Sequence, residues 1–378
     1  MKKLLVSLMA FSMVLVGCTK NDDSTDNSGN TETSAEIIMI TDKGTIDDKS
    51  FNQGTWEGVK AYGEKNNIKT AYIQPLDATD AEYLNAIDQA VERGAKVVVT
   101  PGYLFEPAIY EAQTKYPEVK FVLIDGNPHT ADYSTYLTAD NTIGITYREQ
   151  ESGYLAGYAA VKEGATSLGF MGGMAVPAVV SFGYGFVQGA NDAAEELGVT
   201  VTMKYHYTGD FKATPEVQSL AASWYKDGVQ MIFACGGAVG NSVMAAAEAY
   251  DGEKVWVIGV DVDQSNESDT VITSAYKQLA VSVQNTLAAI YDESFDDVDN
   301  DKVLYRGGAN VVLGATEDAT GLPMGTSRFT NFSNDDYKAV YKKIVDGEIT
   351  ILGNADINDE VGSPMKLTTT KVTIEEIK

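Results

Sequence analysis

Between residues 37 and 261 short apolar runs rich in β-branched residues alternate with longer stretches of helical periodicity. The runs are IIMIT (37–41), TAYIQ (70–74), KVVVT (96–100), KFVLID (120–125), SLGFMG (167–172), VTVTMKYHY (199–207), QMIFAC (230–235) and VWVIGVD (255–261). Helix patterns cover 51–66, 80–93, 105–116, 148–162, 179–197, 214–226 and 238–250. Strand, helix and strand at this spacing predict an α/β fold whose parallel sheets carry helices on both faces. The pattern occurs twice, about 130 residues apart, with a polar interval at 138–147 (TADNTIGITY) between the copies. Two doubly wound parallel-sheet lobes are therefore expected. Beyond 262 the pattern loosens into a helix (276–291), an acidic segment (292–301), a strand-like ANVVLG (309–314) and a helix (335–346) with Ser333 as cap and Gly347 as stop. These late pieces are expected to be shared between the lobes, so that the chain crosses more than once. The expected division is 36–142 plus about 275–325 for lobe 1, and 143–274 plus about 326–378 for lobe 2.

The first residues, MKKLLVSLMAFSMVLVGC, place two lysines before an apolar run from Leu4 to Val16 and then small Gly17 and Cys18. That reads as a secretory signal over 1–17, shorter than a membrane span of about 20 residues. Leu15-Val16-Gly17-Cys18 resembles the lipobox of bacterial lipoproteins, which makes Cys18 the expected lipidation site. Residues 18–35 are rich in Asp, Asn, Ser and Thr and read as an unstructured tether. A lipid-anchored body on the extracytoplasmic face of the cell membrane follows, touching the bilayer only through its anchor. After processing Cys235 is the one cysteine left, so no internal disulfide supports the fold. Lys and Arg number 28 against 54 Asp and Glu, a formal charge of −26. Such a surface repels phosphates and excludes nucleic acid as a partner.

Ligands of open parallel sheets bind beyond the carboxyl ends of the strands. Those ends carry Asp42, Gly44, Asp47, Asp48, Ser50, Phe51 and Asn52; Asp125, Gly126 and Asn127; Gly236, Gly237, Gly240 and Asn241; and Asp261, Asp263 and Gln264. A single acid at such a place is more often a turn former or helix cap. The recurrence of acids at three of these four strand ends favours a binding site. His129 and His206 are the two histidines and stand in unrelated contexts, too few for a zinc site or a catalytic triad. DVDND (297–301) begins like a calcium loop but has Lys302 where a glycine belongs. The glycines of FGYGFVQG (182–189) lie inside a helix pattern and not in a dinucleotide-binding turn. No enzyme, metal or cofactor reading gathers the groups it needs.

The lipobox and tether, then TDKGTIDDKSFNQGTWEG, LIDG, FMGGM, YTGDF, CGGAVGN, GVDVDQ and TSAYK in this order, resemble the basic membrane protein family of substrate-binding lipoproteins, which includes the purine nucleoside receptor of ABC importers. The likeness runs from 36 to about 351. It implies a type I periplasmic-binding fold with three crossovers and a ligand held between closing lobes, no enzymatic activity, and a permease and an ATPase as partners of a monomeric receptor. The resemblance puts a planar base between Phe51 and Phe211, Asp42 and Asp125 at its edge, and Gly237, Asp261 and Lys277 around the ribose. Asp48 departs from an amide in the receptor, which bears on base selectivity. A sugar, an autoinducer-like polyol or a flavin on the same fold remain alternatives, as do a surface adhesin or sensor and an extracellular nucleoside hydrolase.

Overall fold

Each of the eight apolar runs forms a strand in this computed structural model, which describes residues 34–357 and 361–378. The signal, Cys18 and nearly all of the tether lie outside the described residues. The strands are β1 (Ile37–Ile40), β2 (Thr70–Ile73), β3 (Val97–Pro101), β4 (Lys120–Ile124), β5 (Thr142–Tyr147), β6 (Ser167–Gly172), β7 (Val201–Tyr207), β8 (Met231–Cys235), β9 (Trp256–Asp261), β10 (Val271–Lys277), β11 (Asn310–Leu313), β12 (Thr320–Gly321) and β13 (Val372–Glu376). The helices that matter below are α1 (Phe51–Asn66), α2 (Asp80–Glu92), α3 (Glu106–Lys115), α4 (Glu149–Lys162), α5 (Pro177–Leu197), α6 (Pro215–Lys226), α7 (Val239–Glu248), α8 (Leu279–Tyr291) and α9 (Asn334–Val345).

Two sheets result, ordered β11-β5-β4-β3-β1-β2 and β12-β10-β9-β8-β6-β7-β13. Pairing is parallel throughout except for the two-residue contact of β10 with β12. Strands β1, β3 and β8 are buried along their whole length, as strands covered on both faces must be. The first five strands of each half stand in the same relative order, 2-1-3-4-5, so both halves reverse direction between their first and third strands. At such a switch point neighbouring loops part and leave a crevice.

Four strands were not expected: the two-residue β12, the C-terminal β13, β5 and β10. β5 falls in what reads as a polar interval, yet Thr142, Ile143, Ile145 and Tyr147 are buried in the first half. β10 occupies the stretch where the pattern loosens, and the following helix begins at Leu279, three residues later than its spacing suggests. The chain accordingly changes sheets at Arg148, at Gln278 and between Leu313 and Thr320, a few residues away from the expected 142/143, 275 and 325. The three crossings are laced together: Arg148 N–H donates to the Leu313 carbonyl and Gln278 N–H to the Ala319 carbonyl, both at 2.8 Å.

The glycines of FGYGFVQG have a packing task. A Cβ built at Gly185 or Gly189 of α5 would meet the backbone oxygen of Gln150 or Tyr154 at 2.0 or 1.9 Å, and one at Gly153 or Gly157 of α4 would meet Phe182 or Phe186 oxygen at 2.1 Å. The two helices lie backbone to backbone, which only a hydrogen side chain permits.

Candidate ligand cleft

Between the switch points of the two sheets lies a cleft with about 700 Å³ of atom-free space, part of it open to solvent. All nine residues expected at a site line it: Asp42, Asp48, Phe51, Asn52 and Asp125 from the first half, and Phe211, Gly237, Asp261 and Lys277 from the second.

They are not equivalent. The Asp48 carboxylate accepts from the N–H groups of Ser50 (2.9 Å), Asn52 (3.0 Å) and Gln53 (3.1 Å) and from Asn52 Nδ2 (3.0 Å). Four donors use up the acceptor sites of a carboxylate. Asp48 therefore caps the first turn of α1, where the helix leaves its own N–H groups unpaired, and it has no lone pair left for a ligand. Asn52 is likewise spent: Nδ2 donates to Asp42 Oδ1 (2.8 Å) and to Asp48, while Oδ1 accepts from Asp42 N–H (3.1 Å). These two residues shape the loop.

Asp42 keeps a free edge. Its Oδ1 accepts from Gly44 N–H (2.7 Å) and from Asn52, whereas Oδ2 faces Gly102, where an added Cβ would come within 3.0 Å at a φ of +116°. Burial pushes the Asp42 carboxyl up to about 6, against the pull of those two hydrogen bonds. Asp125 follows β4 and Asp261 is the last residue of the equivalent strand β9, and both adopt left-handed backbone, φ 59° and 66°, which Asp tolerates better than most residues. Asp261 Oδ2 accepts from Ser50 Oγ at 2.6 Å, a bond from one half to the other. Asp125 Oδ2 accepts from Lys277 Nζ, and Asp125 Oδ1 is buried without a partner among the described residues. A buried carboxylate oxygen left unsatisfied is costly and rare. It marks where a donor is missing.

Among the described residues Lys277 is the only cation lining the cleft. Its Nζ touches Asp125, lies 3.3 Å from Glu149 Oε1 and 3.8 Å from Asp261 Oδ1, and sits 4.7 Å from the centre of the Phe51 ring. Burial alone would discharge the amine, but three carboxylates outweigh it and raise its pKa, so the ammonium persists. Burial also raises Asp125 and Asp261 in spite of Lys277, since one positive charge is shared among several acids. Phe51 and Phe211 are half-buried, each packed against its own half's core.

Several lining residues escaped the sequence reading, among them Tyr103, Phe182 and the Val176–Val179 segment. Glu149, which does not itself line the cleft but touches Lys277 from behind, is the most consequential residue missed. It follows β5, the strand hidden in the polar interval; reading TIGITY as a strand would have put Glu149 among the strand-end acids.

The profile of the Bmp family, described as ABC transporter substrate-binding protein PnrA-like, matches residues 35–355. The chain belongs to the Bmp family. It is 29% identical over 93% of its length to the ABC transporter nucleoside-binding protein BmpA of Lactococcus lactis subsp. cremoris, of which it covers 99%. It is 26% identical over 94% of its length to Basic membrane protein A2 of Borrelia garinii subsp. bavariensis, covering 98% of that protein. Among solved structures, an ABC transporter solute-binding protein of Aeropyrum pernix K1 superposes with a TM-score of 0.70 at 23% identity, over 84% of this chain and 93% of that one. The arabinose-binding protein AraP of Geobacillus stearothermophilus shares the fold at a TM-score of 0.53 and 15% identity, over 78% and 97% of the two chains. The two-sheet α/β architecture is thus that of periplasmic solute-binding proteins, as expected. A Bmp protein is the substrate-binding component of an ABC transporter and not an enzyme; it works outside the cytoplasm, delivering its ligand to the transporter's membrane and ATPase subunits.

Proposed function

We propose that this protein captures nucleosides, purines in particular, for import. The observation that carries the reading is the pairing of Phe51 and Phe211, one from each half, on a single cleft whose rim holds the unpartnered Asp125 Oδ1 and the open Asp42 Oδ2. Two aromatic faces suit a planar base, at about 1–3 kcal/mol of stacking per base. Carboxylates accept and cannot donate, so they suit a base edge rich in N–H groups. Asp261 Oδ1 and Lys277 supply an acceptor and a donor for neighbouring sugar hydroxyls, with Gly237 offering close approach at φ 55°. Nucleotides are refused, because one ammonium already shared by three acids cannot neutralise a phosphate. Closure on the ligand is a population shift driven by its greater affinity for the closed form, and that form is what the permease reads. Anchoring through a lipid on Cys18 keeps the receptor beside its transporter, as a single folded monomer.

The deciding experiment is mass spectrometry of small molecules released on denaturation, followed by a thermal-shift panel of nucleosides, sugars and riboflavin. A purine nucleoside should be released or should raise the melting temperature most. Stabilisation by a sugar or by riboflavin but by no nucleoside would overturn the proposal.

A further inference from the structure

Glu149 has no assigned task, although it is 5% exposed and stands at the first position of α4, one residue past the crossing at Arg148. Lys277 is the last residue of β10, one residue before the crossing at Gln278. The two side chains meet at 3.3 Å where the chain passes between the halves. Of the three N–H groups on the ammonium, Asp125 and Glu149 take two, and Asp261 Oδ1 at 3.8 Å is beyond hydrogen-bond reach. One N–H thus remains for the cleft.

We propose that Glu149 is a positioning residue: from the crossing it holds the Lys277 ammonium in a fixed orientation that leaves one N–H aimed at a ligand hydroxyl. Asp125 alone cannot do this. It belongs to the first half while Lys277 ends a strand of the second, so their contact changes with the hinge, whereas Glu149 opens a helix packed on β10 and moves with the lysine. Ser152, one turn further along α4, clamps the same strand by donating to the Tyr276 carbonyl at 2.7 Å. The titratable groups facing Glu149 are Lys277 and Asp125, with Asp261, Tyr147 and Cys235 around the same ammonium. Burial, partly offset by Lys277, pushes the Glu149 carboxyl up to about 8. Glutamine keeps an acceptor oxygen at the same reach from Lys277 and is therefore the informative replacement.

The inference rests on the nucleoside reading only in its ligand arm. In the first arm, the ligand-free protein is treated with acetic anhydride and modification of Lys277 is followed by peptide mass spectrometry. Glu149→Ala should speed modification about tenfold, the loss of a hydrogen bond to a charged group, while Glu149→Gln stays near wild type. If the alanine variant does not fold, Glu149→Asp, one methylene shorter, should show the same acceleration. Unchanged labelling in the alanine or aspartate variant overturns the proposal. In the second arm a purine ribonucleoside and its 2′,3′-dideoxy analogue are titrated by calorimetry. Glu149→Ala should weaken the ribonucleoside about tenfold and leave the dideoxy compound unaffected, with Glu149→Gln restoring the difference. Equal weakening of both compounds means general damage to the fold and overturns the proposal. Should the wild type bind neither compound, the nucleoside reading falls by itself and the labelling arm still decides.

Discussion

Phe51 and Phe211 line the cleft and are only half-buried against the cores of their own halves, so on the proposed reading truncation removes a stacking surface without removing the fold. Phe51→Ala and Phe211→Ala are each expected to weaken nucleoside binding about tenfold, from the 1–3 kcal/mol of a base–aromatic stack; calorimetry giving wild-type affinity for both would remove the sandwich. Asp42 adds a pH dependence. Its carboxyl titrates near 6 because it is buried, so above that pH it is an acceptor and below it a neutral acid. Affinity for an N–H-bearing base should therefore fall as pH drops from 7.5 to 5, and Asp42→Asn should be weaker at pH 7.5 and insensitive to the change; calorimetric titrations at both pH values test this. At this scale residue type was legible and residue role was not. Asp42, Asp48 and Asn52 look alike in DKGTIDDKSFNQ, but only hydrogen-bond accounting separates the open Oδ2 of Asp42 from the saturated Asp48.

Helix α1 begins on the Asp48 carboxylate, since Ser50 at its N-cap makes no side-chain cap bond. Asp48→Ala should cost about 1–2 kcal/mol of stability, the loss of a cap, measured by chemical denaturation; an undiminished midpoint would return Asp48 to the ligand. The α4–α5 contact is less forgiving. Gly157→Val forces a side chain onto Phe186 oxygen and should destabilise by roughly 3 kcal/mol or prevent folding, to be read from the denaturation midpoint. Long elements with a clear period were legible, α1 and α9 with its Ser333 cap among them. β5 and β10 were not, because Thr, Ser, Gly and Lys interrupt their apolar residues. Their burial comes from lying next to β4 and β9, which no local window reveals.

The two halves touch across the cleft through Ser50 Oγ and Asp261 Oδ2 at 2.6 Å, Gln264 Nε2 and the Lys49 carbonyl at 2.8 Å, and the ion pairs Lys43–Asp210 at 3.4 Å and Lys49–Glu267 at 3.7 Å. Partly exposed ion pairs contribute little; a buried hydroxyl-to-carboxylate bond contributes more. Ser50→Ala should therefore open the ligand-free molecule, seen as a larger radius of gyration in small-angle scattering, while the ligand-bound form stays unchanged. Equal radii for wild type and variant without ligand would mean that Ser50 does not restrain the hinge. Apolar periodicity, a short-range property of the chain, was enough to specify two parallel sheets and to deliver acids to their carboxyl ends. Which oxygens stay open, where the chain crosses and how Glu149 reaches Lys277 depended on the folded molecule. Those contacts join residues far apart along the chain, Asp125 to Lys277 across 152 positions and Ser50 to Asp261 across 211, and hydrogen bonds are made or left unmade over a few tenths of an ångström in space.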